Sequence, residues 1–555
     1  MTTRKPAVGA LDKLLNGVSP EQLEVERPDG PNNLLPEDLR EIAWEPIMMA
    51  VRLFQDEGAN AFSGNKRERC ASAIKCSTKS KSERLKTFHM RPVKQISSPD
   101  ELQNPAGLGE SLSHGGNKQR RLLWSILLAF AVVLPAVVEF TILYRQAFDI
   151  PYQDDYAAIL AFAREYRQLP GFSAKALEVL TQQTNDYKLA FAHFIVACDL
   201  EATGHLNFPF LVMLGNLFLL LIAYLLWRTY RSPSPRSLNQ RLVEFLPISL
   251  LLFAPFYWET LDWSMAGLQN IPVIFFSLLS IILLVATNPG KSGLGRSLLA
   301  GLSAVLAALS SANGFLLAPI GLLILLPRKA LSAAALWCAC FLLPVAVYLY
   351  HYVPHRYSAH VLHSATLNEK VFYFFALLGC AILHPWVAAF FGVALAAIFA
   401  LSVRSRFDRM HPVSFYFTLW VLATAALVGG LRGAIASRYS IYSVLVFIYA
   451  YFYLVSYLSG RVSGSTLKRF SIAAIACSFL FFAAGIFKGN QRLSERRAIV
   501  LAGMAHYRAN PELNSPMIDP IVLEYWPEEP EFERIELNSA LRDHLLVLSS
   551  PQSGP

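Results

Sequence analysis

From about residue 122 to residue 487 the chain alternates long apolar runs with short polar connections. The runs fall at 122–144, 206–227, 242–257, 267–286, 297–312, 314–327, 330–353, 386–402, 413–431, 439–458 and 469–487. Most approach the ~20 residues an α-helix needs to cross a ~30 Å hydrocarbon core. None shows the period-two alternation of a membrane β-barrel strand. The pattern predicts an all-α polytopic membrane protein of about eleven transmembrane helices. Composition agrees, with 54% hydrophobic and only 16% charged residues, against ~25% charged in soluble chains.

The polar connections order the helices. "KQRR" (Lys118 to Arg121), "RTYRSPSPRSLNQR" (Arg228 to Arg241), "NPGKSGLGR" (Asn288 to Arg296), "PRK" (Pro327 to Lys329), "RSRFDR" (Arg404 to Arg409) and "GRVSGSTLKR" (Gly460 to Arg469) are basic. All six fall on one side of the alternating spans, and cytoplasmic loops carry the excess of Lys and Arg. The amino terminus is therefore expected inside and residues 145–205 outside. Residues 370–384 are apolar but too short to count as a span without breaking this order, and are expected as an interfacial helix on the outer face. "KGNQRLSERR" (Lys488 to Arg497) is basic yet external by the same count, and opens an expected extracytoplasmic tail, 488–555.

Residues 1–121 are polar, without sustained period, and are expected as a disordered cytoplasmic extension. No signal peptide is expected at Met1, because the first apolar run begins near residue 122. The seven cysteines show neither an external pairing pattern nor a zinc spacing. The net charge of +9 is mostly loop basicity and points to no nucleic-acid partner.

The connection 145–205 is far longer than two neighbouring spans require, and long ordered loops are usually functional. In "DDYAAILAFAREYRQL", Ile159, Leu160, Phe162 and Ala163 oppose Arg164 and Glu165, as in an interfacial amphipathic helix. A second helix is expected from about Tyr187. Asp154 and Asp155 stand at the head of the first. As an N-cap, either acid satisfies orphan amides and the helix dipole. An ion pathway favours acids near the bilayer midplane. A general base at the membrane surface asks for a carboxylate where these two stand. Residue type alone leaves cap and base level.

Further motifs follow in order. "NDYK" spans Asn185 to Lys188 and includes Asp186; "WETLDWSMAGLQN" carries Glu259, Trp263 and Gln269; "SSANGFLLAPIGL" carries Asn313 and Gly314; "ASRYSIYSVL" carries Arg438 and Tyr439. A first span, an outer acid pair and this series resemble the class C (GT-C) glycosyltransferases that use polyprenyl-phosphate sugars. In a large group of bacterial relatives the matching motifs are Asn-Glu-His-Arg, Glu-Asn-x-x-Trp with Gln, Asn-Gly and Ser-Arg-Tyr. "NFPFLVMLGNLFLLL" (Asn207 to Leu221) is similar to their second span. Tyr187 departs from His and Thr260 from Asn. The likeness covers residues 122–490, and its order is more specific than any one motif.

The resemblance implies a GT-C-like bundle in a bacterial cytoplasmic membrane, with its site outside. It implies inverting transfer from a polyprenyl-phosphate sugar to a lipid, glycan or protein acceptor. Asp154 would be the base, and Asp155 would orient the acceptor or hold a divalent metal, Mg or Mn. Arg432 and Arg438 are external against the basic-loop trend. Either they contact membrane lipid, or they bind the donor phosphate, with Lys188 as a helper. His351, His355, Arg356, His360 and His363 form a further outer cluster whose spacing fits no standard metal site; an acceptor or phosphate surface is the expectation there. Glu139, inside the first span, is expected to pair with a neighbouring helix. A transporter or flippase, a glycan polymerase or ligase, and a non-catalytic scaffold are the rival readings. A transporter would show repeated halves, and none is detected. A polymerase usually carries its largest loop late, whereas here it comes first.

Overall fold

The computed structural model describes residues 111–230, 237–287, 291–353, 366–381, 384–432, 436–459, 461–509 and 530–546. The expectation for the amino-terminal extension falls outside them up to residue 110, as does most of the histidine cluster. The described residues are helical without a β-strand; one isolated bridge joins Thr184 and Tyr187.

Helix α1 (Ser111–Gln146) takes in residues 111–121 as its first turns. After it come a π-helix (Tyr156–Ala161), α2 (Phe162–Gln168), α3 (Gly171–Thr181) and α4 (Ala190–Thr203). The bundle continues with α5 (Phe208–Thr229), α6 (Leu238–Leu252), the short α7 (Trp258–Asp262), α8 (Ser264–Val285), α9 (Lys291–Ser310), α10 (Leu317–Leu325) and α11 (Leu331–Leu349). The chain closes through α12 (Leu367–Leu378), α13 (Pro385–Arg404), α14 (Phe407–Met410), α15 (Pro412–Arg432), α16 (Ser440–Ser459), α17 (Gly464–Ala509) and α18 (Pro530–Arg542).

Ten helical segments among the described residues are long and apolar enough to cross a membrane. The eleventh expected span, 314–327, belongs to a shorter apolar segment, Ala312–Arg328. It still runs the length of the bundle. Asn313 at its start bonds Tyr442 near the beginning of α16, while Arg328 at its end donates to the carbonyls of Leu284 and Val285, at the far end of α8. Many large apolar side chains point outward, including Phe130, Leu342, Phe390 and Phe479. Such a belt is at home against lipid and costly in water. This is an all-α, multi-pass membrane protein.

Close helix contacts depend on small residues. A Cβ on Gly215 of α5 would lie 3.1 Å from the Gly267 carbonyl carbon of α8. At the Asn-Gly turn the constraint is tighter: a Cβ on Gly314 would lie 2.4 Å from the Ala307 carbonyl oxygen.

The expected interfacial helix at the head of the first loop differs from its reading. Ile159, Leu160, Phe162 and Ala163 are all buried, in a protein core shared with Val500 and Met504 of α17 and with Leu537 and Ala540 of α18. Arg164 pairs with Glu536 of α18 at 2.9 Å, and the Leu206 amide donates to the Leu545 carbonyl at 2.8 Å. An apolar stripe does not say what covers it, and here the chain's own C-terminal helices do. The loop helix without buried residues is α3, whose Phe172 is 86% exposed. Of segment 370–384, residues 370–378 belong to α12, which packs on α13 and α15 and is not long enough to span.

Candidate functional site

Tyr152 to Tyr156 form a tight turn, closed by the Asp155 amide donating to the Tyr152 carbonyl at 3.0 Å, with Gln153 at φ +47°. The Asp155 side chain makes no cap bond to the helix it precedes, so the capping reading fails for this residue. Its carboxylate instead accepts the Tyr152 amide at 3.2 Å and the Met265 amide at 2.9 Å. Asp155 is 1% exposed, and burial pushes its carboxyl up to about 7; the two amides and the Arg496 charge pull the other way, and Asp154 adds to the rise. Asp154 is only half-buried, and its backbone carbonyl takes the Ala158 amide at 2.7 Å. The π-helix starts one residue after the pair. Such bulges widen a helix locally and recur at functional sites.

Met265 ties the acid turn to the "WETLDW" segment, and Trp263 is the hinge between them. Its indole meets Tyr152 edge-on at 5.9 Å. The Arg438 guanidinium lies 5.3 Å from the Trp263 ring and equally far from that of Tyr439. The Arg438 backbone is gripped from both sides: its amide donates to Glu259 Oε2 at 3.1 Å, and its carbonyl accepts the Thr260 hydroxyl at 2.9 Å. Thr260, where the resembled motif has Asn, therefore serves the contact that positions Arg438. Trp263 Nε1–H is buried with no acceptor.

Two further groups lie at the same end of the bundle. In "NDYK", Thr184 and Tyr187 exchange both backbone hydrogen bonds at 2.9 and 3.0 Å around Asn185, which sits at φ +53°. Asn185 is thus explained locally as a turn residue that tolerates the left-handed region. Asp186 bonds the Tyr352 hydroxyl. The Lys188 ammonium donates to the Tyr350 carbonyl, and burial lowers its proton affinity. In the other group Gln269 Nε2 is 3.5 Å from Ser311 Oγ, and Asn313 donates to the Tyr442 hydroxyl at 2.8 Å and accepts from Trp420 through its carbonyl at 3.1 Å. Asn313 Oδ1 is buried without a donor. Tyr187 lies within electrostatic reach of both Tyr348 and Tyr442, which links the two groups. Arg432 is the last residue of α15, with its side chain outside the described residues.

A divalent metal does not fit the donors at Asp155. Hard cations gather six or more oxygens, whereas both Asp155 oxygens already hold backbone amides. Among the described residues no group of three or more His, Cys, Asp or Glu side chains is disposed to hold a metal.

Sequence reasoning missed Asp262 and Arg496, which form a buried ion pair at 3.0 Å beside Tyr152. A signal existed: Arg496 belongs to the basic run that opposed the loop-charge rule. Three of that run's charges are used in the fold, with Arg492 on Glu495, Arg496 on Asp262 and Arg497 on the Arg145 carbonyl. Glu139, expected to pair, receives the Tyr257 hydroxyl at 3.5 Å.

No protein-family model matches the chain, and neither a curated protein nor a solved structure is similar enough to match.

Proposed function

We propose that the protein is a membrane glycosyltransferase that transfers a sugar from a polyprenyl-phosphate donor to an acceptor hydroxyl with inversion. The observation that carries this reading is the convergence on Trp263: the acid-pair turn meets the indole through Tyr152, and the Arg438 guanidinium lies against the same ring. An acid-bearing turn and a cation gathered at one aromatic ring suit an attacking hydroxyl and a departing phosphate.

In this reading Asp154 takes the proton from the acceptor hydroxyl. The new bond forms between the acceptor oxygen and the anomeric carbon while the bond from that carbon to the phosphate oxygen breaks. Polyprenyl phosphate leaves with the electron pair, and the Arg438 charge stabilises it, so no general acid is needed. Asp155 holds the turn that presents Asp154. Lys188, Asp186, Gln269 and Asn313 serve the acceptor or the donor headgroup, and Asn185 shapes the turn that carries Asp186 and Lys188. The membrane is a bacterial cytoplasmic membrane, with the amino terminus inside and the site outside.

The test is transfer of labelled sugar from purified polyprenyl-phosphate donor by wild type and Asp154→Asn. Asn caps about as well as Asp, so folding survives while transfer falls by ~10²-fold or more. Normal transfer by a stable Asp154→Asn protein would overturn the reading.

A further inference from the structure

Helix α17 has 46 residues, about 69 Å at ~1.5 Å per residue, so its C-terminal half stands clear of a ~30 Å hydrocarbon core. From that projecting half Arg496 turns inward, leaving 5% of its surface exposed. One guanidinium nitrogen donates to Asp262 at 3.0 Å, and the guanidinium carbon lies 3.5 Å from the Tyr152 ring centroid. Tyr152 supplies one of the two amides that grip Asp155. Asp262 directly precedes Trp263, and Met265, three residues after Asp262, supplies the other. One side chain therefore touches both of the segments that the Asp155 carboxylate joins. The Arg496 Nε–H is buried without an acceptor, so hydrogen-bond satisfaction alone does not account for its burial.

A buried ion pair is weak evidence for stability, because desolvation costs several kcal/mol per ion and an apolar contact would pack as well. What a cation adds at this joint is its field on the neighbouring carboxylate. We propose that Arg496 is a positioning residue for the acid pair: it locks the turn carrying Asp154 and Asp155 onto the Trp263 segment and holds Asp155 in its grip on two amides. The catalytic consequence rests on the transferase reading; the structural consequence does not.

The grip depends on charge. A carboxylate accepts from both amides, whereas a protonated carboxyl surrenders one acceptor oxygen. The charged groups facing Asp155 are Asp154 on its own turn, which opposes ionisation, and Arg496 from α17, which favours it. Asp262 from α7 draws on the same guanidinium. With Asp155 pushed up to about 7, the grip changes near neutrality, and Arg496 sets where.

The experiment is hydrogen exchange of the peptides containing Tyr152 and Met265, in full-length protein in lipid nanodiscs, compared at each pH with wild type. Arg496→Gln is expected to reduce protection in both peptides and to move the midpoint of its pH dependence upward by roughly half a unit or more. Arg496→Lys, which keeps the charge but not the fork, should hold the midpoint close to wild type. Asp262→Asn, which leaves the guanidinium to Asp155, should move it downward. The acid limb of sugar transfer should move in the same directions. A uniform loss of protection with no midpoint shift in any variant would overturn the proposal and leave Arg496 as packing. If Arg496→Gln does not fold, Asp262→Asn decides by the presence or absence of its downward shift. A wild type that transfers no sugar would sink the transferase reading alone, because the exchange result stands without it.

Discussion

Asp155 and Met265 are 110 residues apart, and the carboxylate of one accepts the backbone amide of the other at 2.9 Å. This bond fastens the connection between α1 and α5 to the start of α8, and it holds a carboxylate whose desolvation outweighs the two amides and the Arg496 charge beside it. Because burial raises the folded-state carboxyl to about 7, above the ~3.9 of an unfolded Asp, the native state binds the proton more tightly. Protonated Asp155 then contributes stability that is full below ~4 and is lost as pH rises to about 7. At ~1.4 kcal/mol per pH unit the change across that window is on the order of 4 kcal/mol.

Wild type should therefore lose thermal stability between pH 5 and pH 7.5 more steeply than Asp155→Asn, which has no charge to titrate. Melting in detergent across that range measures it. Parallel pH profiles would show that Asp155 is ionised without penalty, and hence better solvated than its burial implies.

Gly314 tests the Asn-Gly turn. A Cβ there would fall 2.3 Å from the Ala307 carbonyl carbon, a contact that backbone cannot relieve by rotating. Gly314→Ala should destabilise the protein by ~1–3 kcal/mol, the usual scale of overpacking. It should also displace Asn313 from Tyr442. An unchanged melting temperature would mean that α9 and the turn shift freely, and that the glycine serves no close approach.

The spans were legible because crossing a bilayer demands length and apolarity together, and the order of basic loops gave an expectation of which ends share a side. Residues as distant as Glu259 and Arg438 could be assigned to one end on that count before any contact was known. The local devices were less legible. Asp262 and Arg496 pair across 234 residues, and no period in either segment points to the other. Phe162 and its neighbours looked like a lipid-facing stripe because the helix that covers them, α18, lies at the far end of the chain. Asn185 matched a motif, yet its positive φ shows that a turn explains the residue without any ligand.

The expected orientation is tested by reporter fusions after Gln153 and after Ser237, which lie at opposite ends of α5 and its flanking segments. The basic connection around Ser237 should report the cytoplasm and Gln153 the outside. A cytoplasmic reading at Gln153 would place base and donor in the wrong compartment and end the transferase proposal.

Arg438 separates phosphate binding from lipid contact. Its backbone is fixed by Glu259 and Thr260, and its guanidinium sits against Trp263 and Tyr439. A side chain that only touched headgroups would not require this support, since a flexible stem reaches the interface unaided. If the planar fork holds the leaving phosphate, Arg438→Ala should lower transfer by ~10²-fold or more, the scale of a lost oxyanion donor. Arg438→Lys should recover only part of this, because an ammonium restores the charge but not the bidentate geometry or the fit against the ring. Thr260→Val, which removes a hydroxyl bonded to the Arg438 carbonyl, should lower transfer more mildly while leaving the charge in place. Transfer rates measured over a range of donor concentrations decide the matter. Equal rates in wild type, Arg438→Ala and Arg438→Lys would assign the residue to the lipid surface and leave the departing phosphate without its proposed partner.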